Sequence, residues 1–63
     1  MSAERRKWEH LIDKRIRIDC MVDEPQYTGR EGVVEIVDDW GQLHGTWGGL
    51  AVQPDRDKIT ILD

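Results

Sequence analysis

The chain holds one cysteine, two histidines and two prolines in 63 residues, and it has no long apolar run. A lone Cys20 forms no intrachain disulfide, which removes the staple of small secreted domains and points to a reducing compartment. Cys20, His10 and His44 together fall short of the four ligands of a structural zinc site. Without a continuous apolar stretch of about 20 residues, no transmembrane helix is expected. The opening MSAERRKWEH carries charge where a signal peptide needs an apolar segment. The expectation is a soluble, cytoplasmic protein.

A nucleophile–base pair is also missing. The hydroxyls are Ser2, Thr28, Thr46 and Thr60, and only Thr46 has a histidine close in sequence. His44, two residues away on a strand, is a neighbour along one face rather than an oriented base. A chain of this length builds one modest core and no deep pocket that excludes water. A protein without enzymatic activity, cofactor or metal is expected.

What the chain does have is charge, unevenly placed. Residues 1–17 carry six basic against three acidic groups, a balance of +3, whereas residues 18–63 carry three against ten, a balance of −7. The pattern suggests a basic arm on an acidic domain; separately, the expected organisation is an arm or short helix over residues 1–13 and one domain over residues 14–63. Within the arm, Ser2 can cap a short helix over residues 3–12, with Trp8, Leu11 and Ile12 at the spacing of one face. So short a helix persists only if that face docks, so helix and frayed arm both stay open.

Alternation from residue 15 to 21 reads as a first strand, with Ile16, Ile18 and Cys20 inward and Arg17 and Asp19 outward. The stretch TGREGVVEIVDDWGQLHGTW, residues 28–47, reads as a hairpin: a β-branched strand, a turn at Asp38-Asp39-Trp40-Gly41, and a returning strand. Gly32 suggests a bulge or bend there. On the returning strand Leu43, Gly45 and Trp47 share the inward face, and Gln42, His44 and Thr46 the outward one. Short strands at residues 50–53 and 58–62 complete the set. The expected fold is mainly β, a small five-stranded SH3-like barrel with a short N-terminal helix or arm.

The motifs Gly29-x-x-Gly32-x-Val34, Val37-Asp38-Asp39-x-Gly41-Gln42-Leu43-His44-x-x-Trp47 and Asp57-x-Ile59-x-Ile61-Leu62, with Leu50 and Pro54, carry a resemblance. The chain resembles a bacterial family of short SH3-like barrels of unknown function, often found on phage, plasmid or integrative-element DNA. The resemblance implies the fold and a mobile-element origin. Gly45 departs from it, standing where the family has an inward β-branched residue, which implies a cavity or a close backbone approach. The connection from Trp47 to Leu50 is also shorter and lacks an acidic residue after the tryptophan. More distantly, the Gly-x-x-Gly-x-Val opening is similar to ribosomal and transcription-factor barrels that touch RNA.

Trp40 is the leading candidate for contact with a partner. A ring at a hairpin tip beside two aspartates is hard to bury, and exposed tryptophans are enriched in binding hot spots. The alternative is that it folds back over Tyr27 or the arm. Around it, Tyr27 offers a second apolar anchor and Gln42, His44 and Thr46 a polar surround; Glu35 of the neighbouring strand is a candidate partner for His44. Asp38 and Asp39, adjacent on a strand end, point apart, and Asp55 and Asp57 flank Arg56 as turn caps rather than calcium ligands. Cys20 is expected to be an inert core thiol.

The first reading is a non-enzymatic protein-interaction or accessory module with an unknown protein partner, and a homodimer through a sheet edge is compatible with it. A second is nucleic-acid binding through Arg5, Arg6, Lys7, Trp8, Lys14, Arg15 and Arg17, which would grip phosphates and stack a base. A third is an acidic mimic of nucleic acid that occupies a host protein's basic groove.

Overall fold

A computed structural model describes residues 3–63. Ser2, the expected helix cap, lies outside the described residues. The N-terminal segment is helical: α1 spans Ala3–Trp8 and runs into a single 3-10 turn, Glu9–Leu11. Its apolar edge docks as the spacing implies, with Leu11 buried and Trp8 and Ile12 half-buried against the core.

Four strands follow, β1 (Arg15–Cys20), β2 (Glu31–Val37), β3 (Leu43–Gly45) and β4 (Lys58–Ile61). They form one open antiparallel sheet in the order β3-β2-β1-β4. The fold is thus mainly β, with four strands where five were expected. Residues 50–53 contribute only an isolated bridge, Val52 to Leu43. The segment is hemmed in by its own sequence: Gly48 and Gly49 turn it with positive φ, and Pro54 has no N–H to extend a ladder.

Two bulges decide which side chains face inward. Between Ile18 and Cys20 the register of β1 against β4 shifts. An extra residue there reverses the alternation, so Cys20, expected inside, is exposed and Met21 takes the inward place at 4 % exposure. The irregularity expected in β2 falls between Val34 and Ile36 rather than at Gly32. Val34 and Val37 are consequently both buried, and Ile36 is turned out.

The core gathers Leu11, Ile16, Ile18, Met21, Val34, Val37, Leu43, Trp47 and Val52. Trp47 is inside, as its parity requires, and its Nε1 donates to the carbonyl of Leu50 at 2.8 Å. Two glycines make room there, Gly45 for the ring and Gly32 for the backbone beside it. A Cβ at Gly45 would run into the Val33 carbonyl and the Trp47 ring, and one at Gly32 would lie 2.6 Å from the Trp47 backbone nitrogen. Gly45 therefore marks a close approach and not a cavity. At the same place Thr46 leaves the regular ladder, its Oγ1 accepting from the Val33 N–H at 2.8 Å.

Gly45→Ala is expected to overpack this contact and cost about 1–3 kcal/mol, read as a lower urea midpoint with unchanged slope. An unchanged midpoint would show that the Trp47 ring has room to move.

Candidate protein-binding site

The tip of the β2–β3 hairpin is built around one carboxylate. Asp38 Oδ1 accepts the backbone N–H groups of Trp40 and Gln42, each at 2.9 Å, and its Oδ2 lies 2.9 Å from His44 Nε2. The Gly41 N–H closes the turn on the Asp38 carbonyl at 2.9 Å. An aspartate that opens a turn and bonds the backbone two residues on is ordinary turn chemistry; here it also reaches the next strand. Burial pushes the Asp38 pKa up, but hydrogen bonds from His44 and from the Gln42 and Trp40 N–H groups outweigh it and hold the group below the usual carboxylate value. His44 thus pairs with Asp38 and not with Glu35, because the bulge after Val34 carries Glu35 out of register with it.

This turn holds the Trp40 backbone while its indole stands in solvent, 79 % exposed. The ring does not fold back over Tyr27 or the arm. Beside it runs a cleft with Trp40, Gly41 and Gln42 on one wall and Gln53, Pro54 and Arg56 on the other. The second wall escaped the sequence reading. Its signal was the register Leu43↔Val52, which sets Gln42 opposite Gln53 and Gly41 opposite Pro54 once the short strand is paired.

Of the five residues expected to meet a partner, Trp40 and Gln42 line the cleft, and His44 braces the turn from behind through Asp38. Tyr27 stands elsewhere. It presses against Gly49, accepts from the Leu50 N–H at 3.4 Å, and carries the Arg30 guanidinium 4.3 Å above its ring. Thr46 is occupied with Val33.

The residues of the basic cluster are mostly paired with acids of the same chain. Arg5 lies 3.6 Å from Glu9 and 3.9 Å from Asp39, and Lys7 lies 3.5 Å from Asp55. Arg15 meets Asp63 and Arg17 meets Asp19. The Asp19 pKa lies below its ordinary value, chiefly through the hydrogen bond from Thr60 and then that from Arg17. Arg6 and Lys14 remain exposed. Trp8 is packed on the core, with Lys7 5.5 Å from the centre of its ring.

Asp38 and Asp39 do point apart, one into the turn and the other to Arg5. Asp57 is a cap, accepting from the Gln53 and Val22 N–H groups at 2.9 and 3.0 Å. No group of three His, Cys, Asp or Glu side chains among the described residues is placed to hold a metal. No helix among them is long and apolar enough to cross a membrane. Comparison with protein-family models, curated proteins and solved structures finds no match for this chain.

A carboxylate whose pKa is lowered by folding stabilises the native state above its unfolded pKa, and the effect fades as pH falls through the lower native value. The carboxyl carbon shift of Asp38 should therefore report a titration below the ordinary aspartate value of about 3.9. A midpoint at or above that value would mean that the hydrogen bonds do not outweigh burial.

Proposed function

We propose that the protein is a non-enzymatic protein-interaction module of SH3-like barrel design that receives a segment of a partner protein in the Trp40 cleft. The observation that carries this reading is a tryptophan exposed over 79 % of its surface on a backbone fixed by hydrogen bonds to Asp38. A small acidic chain has little reason to present so large an apolar ring to water unless contact covers it. Holding the ring in place beforehand lowers the ordering cost of binding.

The walls suit an extended, proline-containing or otherwise apolar peptide. Trp40 and Pro54 give flat apolar surfaces, and Gln42 and Gln53 line the same cleft with amides of a type that pairs with a peptide backbone. The resemblance of the hairpin to small barrels on mobile DNA supports an accessory role in a bacterial mobile element. Internal pairing of Arg5, Lys7, Arg15 and Arg17 weighs against the arm as a phosphate-binding surface, since each phosphate contact would first displace a carboxylate.

Trp40→Ala should leave the unfolding free energy, read from urea denaturation, within about 0.5 kcal/mol of the parent. In selection from a displayed peptide library, and against any partner so found, it should weaken binding by more than about 2 kcal/mol, roughly thirtyfold. His44→Ala should weaken the same binding less, by loosening the turn. A large stability loss in Trp40→Ala would make the ring structural, and undiminished binding would move the site elsewhere.

A further inference from the structure

No residue of α1 is buried, and within it Trp8 alone is half-buried. Secure attachment begins further along the chain. Leu11 is buried and its carbonyl accepts from the Lys14 N–H at 2.9 Å. The Asp13 N–H donates to the Val34 carbonyl at 2.7 Å, and the Lys14 carbonyl accepts from the Val34 N–H at 3.0 Å. Between Trp8 and this anchored stretch stand Glu9 and His10, both exposed.

Two kinds of contact hold α1 down, and neither is strong. Arg5 lies 3.9 Å from Asp39 and Lys7 lies 3.5 Å from Asp55, with all four side chains well exposed. Ion pairs of that kind contribute little and are screened by salt. The Trp8 ring packs on the core, but its Nε1 is shut off from solvent and meets no acceptor among the described residues. An indole N–H in that position has lost its hydration and gained nothing in return, and undocking restores it. Arg5 also lies 3.6 Å from Glu9, a pair one helical turn apart that does not depend on docking.

We propose that residues 3–8 are a strap, held closed in part by ion pairs, that opens as a unit about Glu9 and His10 while the sheet stays folded. Salt concentration sets how often it opens. The Trp40 turn survives the opening, because the hydrogen bonds to Asp38 involve no residue of α1. The charge beside that turn does change. Asp39 precedes Trp40 in the chain, and Asp55 lies in the wall of its cleft. A closed strap sets one cation against each of these carboxylates, and an open strap withdraws both, leaving the border of the cleft acidic. The strap therefore regulates the charge that an incoming segment meets. This consequence rests on reading the cleft as a binding site, whereas the opening itself does not.

Hydrogen exchange of the indole N–H groups, followed by NMR in the full chain, reads the opening directly. Trp47 is the internal reference, since its Nε1 is bonded to the Leu50 carbonyl within the core. Between about 20 mM and about 500 mM sodium chloride the Trp8 indole should exchange about threefold faster, as screening weakens the two pairs. In the double variant Arg5→Ala, Lys7→Ala it should exchange about tenfold faster at low salt and respond to salt no further. The Trp47 indole should keep one rate throughout. A Trp8 rate indifferent to both salt and the double variant would overturn the proposal. So would Trp8 and Trp47 rates that rise together, since the opening would then be unfolding of the whole domain. Failure of the cleft reading is a separate result, undiminished partner binding by Trp40→Ala, and leaves these rates as expected.

Discussion

Asp38 accepts the Trp40 and Gln42 N–H groups on one oxygen and faces His44 Nε2 with the other, and both ends of the molecule answer to that arrangement. On the solvent side it fixes the backbone from which Trp40 projects. On the inner side it sets Gly41 at φ +79°, where any Cβ would stand 3.1 Å from Glu4 and 3.3 Å from the Trp8 ring. The turn is thus also the seat of the N-terminal helix, which is too short to persist alone. Arg5 to Asp39 and Lys7 to Asp55 add exposed ion pairs across the same seam, each worth little by itself.

A chain of 63 residues has little apolar surface to bury, and this one concentrates the task around Trp47. Gly32 and Gly45 let the backbone of two strands and an indole ring meet at a spacing that side chains would forbid. The ring lies in the buried cluster that holds Leu43 and Val34, and its Nε1 finds the Leu50 carbonyl, so a large residue is buried without leaving its own donor unsatisfied. Asp57 joins the loop after β1 to the turn before β4 by accepting from Val22 and Gln53. That join places Pro54 and Gln53 across from Trp40, completing the cleft.

Strands β1 and β2, the hairpin turn and the inward Trp47 were legible because alternation and turn residues are local properties of the sequence. Parity beyond a bulge was not. Ile16 and Ile18 follow the alternation, but the shift before Cys20 sends that thiol outward and brings Met21 in, and no residue type there announces the extra position. The strand expected at residues 50–53 shrank to Val52 because glycine and proline bound it on both sides. Trp40 and Gln42 could be singled out from the turn itself. Gln53, Pro54 and Arg56 could not, since they reach the site only through a pairing across the fold. The partner of His44 was missed for the same reason: the bulge after Val34 removed Glu35 and left Asp38 within reach.

The central claim is that Asp38 holds the Trp40 turn rigid in the absence of any partner. Backbone order parameters at Asp39, Trp40 and Gly41 test it most directly. Values near 0.85, about those of the strands, falling below about 0.6 in Asp38→Ala, are the predicted result. Values already below about 0.6 in the unaltered protein would contradict it, because a mobile tip cannot present a preformed binding surface.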